Sequence, residues 1–263
     1  MFGITLFTNV DAMCRQMLHT CCATCLRERQ KVMWRVRLYV QICTVFGKHP
    51  RIGNWARKLP FFRALMILLA NFDHSFSDRR YMSQNILPAL GAARIRRVLF
   101  VGCQPYTARY GRRLTGAGID YWTTDVDPAS AMWGERNHHI VGDVTRIDDL
   151  CTPVSFDAVL LNGVIGDGTG LDGEDQMNRA ITAIARILRP NGILLIGWNS
   201  LKKHSDPLQL DAVATYFRHE CLFPLPSRQT FSDTDHVYDW LVKTNAPTTG
   251  ITAQPVSTGL AQS

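Results

Sequence analysis

At 263 residues, with 46% apolar and 10% aromatic content, the chain is long enough for one good-sized α/β domain plus an extension and can pack a core, which excludes a disordered or fibrous protein. Charge is divided unevenly. Residues 1–97 carry 16 Lys/Arg against 4 Asp/Glu, while residues 98–263 carry 13 against 18, so the net charge of +7 belongs to the N-terminal third.

Five of the eight cysteines (Cys14, Cys21, Cys22, Cys25, Cys43) lie in the first 43 residues. Asp11, Arg15 and the charges from Arg27 onward interrupt any secretory leader, so the thiols are expected reduced and the protein cytoplasmic. "HTCCATC" (His19 to Cys25) raises zinc, but a structural zinc site needs a second ligand pair at suitable spacing, so small apolar residues on a helix face are expected and no metal.

Residues 13–46 read as a helix with Arg and Lys among apolar residues, and the Gly and Pro of "GKHPRIGNWARKLP" then stop it. "FFRALMILLANF" (Phe61 to Phe72) is shorter than the ~20 residues a bilayer-spanning helix needs. It reads as a buried or lid helix; a basic amphipathic segment giving peripheral membrane contact through residues 1–72, or an Arg-rich organelle presequence in the first 40 or so, are the alternatives. Interleaving of the cations with bulky apolar side chains argues against nucleic acid.

From residue 94 short apolar runs alternate with helical segments: "RRVLFVG", "IDYWTTD" (119–125), "HHIVGD" (138–143), "FDAVLLNG" (156–163) and "GILLIGW" (192–198). This is the pattern of a parallel sheet covered on both faces. Helices are expected over Tyr106 to Gly116, over Asp175 to Leu188 before the Arg189-Pro190-Asn191-Gly192 turn, and over Leu208 to His219. "HVYDWLVKT" (236–244) reads as a last strand, and the uncharged tail as disordered. The chain thus divides into a helical extension or lid (1–93), an α/β domain (94–245) and a tail (246–263).

In a doubly wound sheet, ligands bind beyond the carboxyl ends of the strands. Those ends carry Gly102, Asp125, Asp143 and Asn162. Asp125 follows Gly102 by 23 positions, close to the interval at which an acid after the second strand accepts hydrogen bonds from ribose hydroxyls. The alternative is a turn cap before Pro128.

"VLFVGCQPYT", "YWTTDVDP", "IVGDV", "FDAVLLNGVIGDG" and "ILRPNGILLIGW", in this order, resemble a class I S-adenosylmethionine-dependent methyltransferase domain over about residues 94–244. The resemblance implies a doubly wound, mostly parallel seven-stranded sheet with "HVYDWLVK" as its antiparallel seventh strand, and S-adenosylmethionine as cofactor. It further implies that Gly102 starts the turn under the methionine part of the cofactor, Asp125 binds ribose, Asp143 lies near the adenine amino group and Asn162 lines the methyl-transfer pocket. The first motif departs from the family pattern: Phe100 replaces the usual acid, and Gln104 and Tyr106 replace two glycines. Gln104, Tyr106 and Thr107 then become polar candidates for the methionine carboxylate, at the N-terminus of the next helix.

The expected function is methyl transfer to a small-molecule or lipid-like acceptor by in-line displacement, with Asp167, Asp172 and His236 as candidate bases. "GDGTGLDGED" reads as an acidic flap, since its spacing misses a calcium loop. A non-catalytic scaffold of the same fold is the alternative. A nicotinamide dehydrogenase is disfavoured because Gly-x-Gly-x-x-Gly fails after Gly102. Neither the acceptor atom nor an oligomeric state is legible in the chain.

Overall fold

The computed structural model describes residues 34, 37–39, 41–46, 48–70, 76–152, 155–166, 170–201 and 206–244. The cysteines before Cys43, Asp167 and the tail from residue 245 lie outside the described residues.

Five parallel strands form the centre: β1 (Arg97–Val101), β2 (Asp120–Asp125), β3 (His139–Val141), β4 (Phe156–Asn162) and β5 (Leu188–Asn199). Two short strands, β6 (Phe217–His219) and β7 (Arg228–Thr230), and a long β8 (His236–Lys243) complete an eight-stranded sheet of order β3-β2-β1-β4-β5-β8-β6, with β7 also on β8. β8 runs antiparallel to β5, in the place expected of "HVYDWLVK". β6 pairs with Leu241–Lys243 and β7 with Val237–Asp239, so the two short strands lie one after the other along the far side of β8.

Each central strand is apolar on both sides because helices cover both faces. Leu99, Val101, Val159, Leu161, Leu194 and Ile196 join one core with the helix Glu174–Ile187; Val98, Phe100, Ala158, Leu160 and Leu195 join the other with Leu114 and Leu90. Successive residues therefore alternate between the two layers, as the pleat requires.

Residues 34, 37–39, 41–46 and 48 are helical, and after them the α-helices in chain order are α1 (Pro50–Ala56), α2 (Phe62–Leu69), α3 (Ser77–Tyr81), α4 (Leu87–Ala92), α5 (Tyr110–Gly116), α6 (Ile147–Leu150), α7 (Glu174–Ile187) and α8 (Asp211–Tyr216). A π-helical turn, Met82–Ile86, joins α3 to α4. Three expectations shift. α1 starts inside the stretch expected to be a stop, because Pro50 suits a first helical turn. α5 begins only at Tyr110, after a 3-10 turn at Thr107–Arg109. The last helix ends at Tyr216, and Phe217–His219 of its expected range pair with β8 instead. The Arg189–Gly192 turn survives as an excursion within β5, where Asn191 has φ 58° and the register jumps from Leu188 to Ile193. No helix among the described residues is long and apolar enough to cross a membrane.

The edge formed by β6, β7 and β8 is locked by charge. Asp239 of β8 is fully buried and accepts hydrogen bonds from Arg228 (2.7 and 3.0 Å) and from the Trp198 indole N–H (2.8 Å), with His219 3.1 Å away. Arg228→Ala strands that carboxylate without its main partner, and we expect a loss on the order of 3 kcal/mol, read as a lower midpoint in urea with an unchanged slope. An unchanged midpoint would show that His219 and Trp198 suffice.

Candidate active site

The carboxyl ends of β1, β2 and β4 meet around Gly102. This glycine has φ 89°, and a Cβ placed on it would approach Val164 Cγ1 to 2.8 Å, so both its conformation and its space exclude other residues. Asp125 faces the same turn. Its Oδ2 accepts the Cys103 backbone N–H at 2.7 Å and its Oδ1 the Asp127 N–H at 2.9 Å. One carboxylate thus fixes the loops after β1 and β2, while each oxygen keeps a lone pair for a further donor. Burial pushes the Asp125 pKa up, and the two backbone donors oppose that rise. The hold on Asp127 N is itself a turn cap, and Asp127 in turn accepts from Ala129 N at 2.9 Å before the helical turn at Pro128.

The substituted first motif has a physical account. Phe100 is fully buried with its ring 5.6 Å from Tyr110, so the position that usually bears an acid is a core position here. Neither Gln104 nor Tyr106 adopts positive φ, so neither needs to be glycine. The loop is closed by Thr107, whose hydroxyl donates to Gln104 O (2.9 Å) and accepts from Gln104 N (3.0 Å). Thr107 is therefore spent on the loop's own backbone. Cys103 beside it is buried, and its thiol is pushed up to about 12 by burial and by the nearby Asp125, which leaves it protonated.

Tyr106 packs face-on against a residue the motifs do not mark. The Arg79 guanidinium carbon lies 3.8 Å from the Tyr106 ring centroid, Arg79 Nε reaches Asp78 Oδ2 at 3.1 Å, and Arg79 Nη1 is buried without a hydrogen-bond partner. Tyr39, Tyr110 and Tyr238 lie within electrostatic reach of the same group, and burial holds the Tyr39 and Tyr238 phenols neutral.

Asn162 and His236 come together at the ends of β4 and β8. His236 Nε2 lies 3.1 Å from Asn162 Oδ1, and its Nδ1 2.7 Å from Asn199 Oδ1. Gly197 makes room for the pair, since a Cβ there would collide with Asn162 and His236. Both contacts run to amide oxygens, and an imidazole with a single N–H donates to only one of them. Asp143 stands apart, exposed after β3, with its carboxylate accepting from Thr145 N at 2.9 Å. Asp172 is exposed too, and Asp167 lies outside the described residues. Among the described residues no group of His, Cys, Asp and Glu is arranged to hold a metal.

Arg79, Asn199 and Gly197 are the site residues that sequence reasoning missed. No local motif carries them, because each acts through a partner distant in the chain.

If the carboxylate form of Asp125 accepts from a ligand's hydroxyls, affinity for S-adenosylhomocysteine is full above the Asp125 pKa and falls about tenfold per pH unit below it. Since burial raises that pKa, the fall begins at a higher pH than an ordinary aspartate would give. Asp125→Ala should cost about 3 kcal/mol, or a hundredfold in affinity, without unfolding the chain. Calorimetric titration from neutral to mildly acidic pH checks both, and a pH-independent affinity counts against the assignment.

Residues 100–196 match a family model described as a methyltransferase domain. The structure is similar to the N-methyltransferase NodS from Bradyrhizobium japonicum, with 16% identity, 65% of this chain and 99% of that one covered, and a TM-score of 0.50. The same enzyme in complex with S-adenosyl-L-homocysteine aligns over 66% of this chain and 90% of its own, at 15% identity and a TM-score of 0.50. A TehB-like methyltransferase from Corynebacterium glutamicum shares 20% identity over 66% of this chain and 98% of its own, at a TM-score of 0.46. No curated protein matches the chain by sequence. The family match over β1 to β5 and the strand order described above are consistent with the class I, S-adenosylmethionine-dependent methyltransferase superfamily.

Proposed function

We propose that the protein transfers the methyl group of S-adenosylmethionine to a small-molecule or lipid-like acceptor, with the cofactor held across the ends of β1 and β2. The observation that carries this reading is the Asp125 carboxylate, fixed by Cys103 N and Asp127 N beside the left-handed turn at Gly102. A doubly held carboxylate with lone pairs to spare suits a pair of ribose hydroxyls. When bound, the cofactor supplies a methyl group already activated on a sulfonium.

The chain's own task is then to bind, align and exclude water. Gly102 gives the close backbone approach, and Asp143 stays as the candidate near the adenine end. Gln104 and Tyr106 shape the opposite end, where Arg79 against the Tyr106 face is the cation suited to a carboxylate, while Thr107 supports the loop. Asn162 and His236 are the polar side chains assigned to the transfer pocket. With both ring nitrogens engaged, His236 first of all orients Asn162; to serve as a base it must exchange one amide for the acceptor. Asp167 remains the other candidate base. The helical residues before β1 serve as the lid, packing on Met132 and Trp133 just beyond β2.

Mass spectrometry of the purified protein for co-purified cofactor, followed by extract profiling with a labelled methyl donor, tests the reading. Binding of S-adenosylhomocysteine with no labelled product in any extract would favour the scaffold alternative. A finer expectation concerns Arg79. Arg79→Gln should weaken S-adenosylhomocysteine about 10- to 100-fold, the scale of a charge-assisted hydrogen bond, and leave 5′-methylthioadenosine, which lacks the amino-acid end, nearly unchanged. Equal losses for both ligands would assign Arg79 to packing alone.

A further inference from the structure

We propose that the outer face of the N-terminal helices docks on an anionic membrane surface. The inner side of these helices is accounted for. Tyr39, Ile42, Cys43, Phe46, Ala56, Phe62 and Met66 pack together and against Met132 and Trp133, and Arg63 Nε donates to Met132 O at 2.7 Å. The outer side faces solvent. Trp55 is 64% exposed, Phe61 61%, and Trp34 and Leu68 53% each, with Ile52, Val45, Leu38 and Leu65 also exposed.

The spacing makes this a face rather than a scatter. Phe61, Leu65 and Leu68 recur at i, i+4 and i+7, and Ile52 and Trp55 at i, i+3, so each set projects from one side of its helix. Isolated exposed apolar residues are ordinary, but repeated large ones on adjoining helices mark a surface meant to be covered.

Charge selects the occupant. Residues 34–72 contain seven Lys/Arg and no Asp or Glu, and Arg37, Lys48, Arg51, Arg57 and Lys58 are exposed beside the apolar residues. Trp, Phe and Leu flanked by basic residues, with no carboxylate to repel a phosphate, fit the boundary between anionic headgroups and acyl chains. A nucleic acid would use the cations and leave Trp55, Phe61 and Leu68 wet. The helices are too short and too charged to span, so the contact is peripheral. Their inner layer abuts the turn after β2, so the docked face lies on the side of the domain where the strands end. This inference rests on the helices alone and stands whether or not methyl transfer is demonstrated.

The test is sedimentation of the full-length protein with phosphatidylcholine vesicles, with and without phosphatidylglycerol, at low and high salt. We expect pelleting with the anionic vesicles, release by salt, and at least a tenfold loss of partitioning in both Trp55→Ser/Phe61→Ser and Arg51→Glu/Lys58→Glu, at unchanged melting temperature. Protein that stays in the supernatant with anionic vesicles overturns the proposal. So does binding that ignores vesicle charge and survives Trp55→Ser/Phe61→Ser. If that variant instead converts a dimer to a monomer while vesicles are ignored, the face belongs to a second copy of the chain and the membrane inference falls.

Discussion

The site depends on one carboxylate bridging two loops. Parallel pairing brings Val101 of β1 level with Thr124 of β2, which leaves Gly102 and Asp125 side by side where the pairing stops. Beyond that point β1 and β2 no longer pair, and the two backbone hydrogen bonds to Asp125 take the place of their ladder. The burial that raises the Asp125 pKa is the cost of placing a carboxylate there, and the backbone donors offset part of it. Remove this tie and both loops lose their fixed point, whatever ligand they hold.

Seen from that tie, the unusual first motif is a different solution to the same mechanical problem. Glycine-rich turns let backbone come close but leave the loop free to move, a freedom lost again on folding. Here one glycine is kept where φ is positive, and Thr107 clips Gln104 N and O to shape the remainder. The Tyr106 side chain gains a neighbour in Arg79 from the helix before β1, so the loop is braced from outside the sheet. A buried Phe100 in place of an acid gives the strand to the core rather than to the ligand.

How much of this the sequence made legible follows from the range of each interaction. Short apolar runs marked β1 to β5 because burial on both faces is written within each strand, and alternation of β-favouring residues marked β8. β6 and β7 escaped notice because strands of three residues take their identity from β8 and from the Arg228–Asp239 contact, not from their own pattern. Gly102 and Asp125 were legible as strand ends separated by a telling interval. Asn162 and His236 were each singled out, but their contact spans 74 positions, and only the β4-β5-β8 order brings them together over Gly197. Arg79 was invisible for the same reason: its meaning comes from Tyr106, and nothing around it in the chain distinguishes it from other basic residues.

The charge asymmetry between the two parts of the chain also takes on a structural sense. The α/β portion carries the acids, and part of that excess is used locally, on Asp125, Asp127 and Asp143 at loop backbones and on Asp239 at the sheet edge. The helical residues before it meet this portion through apolar contacts, Met82, Ile86 and Leu90 against the sheet and Phe62 and Met66 against Met132 and Trp133, and Arg63 donates to the Met132 carbonyl. Arg37, Lys48, Arg51, Arg57 and Lys58 stay exposed on the outer side. Evenly mixed charge would have been the simpler way to keep such a surface soluble, so cations segregated around exposed Trp and Phe argue for a partner that is itself apolar beneath a negative skin.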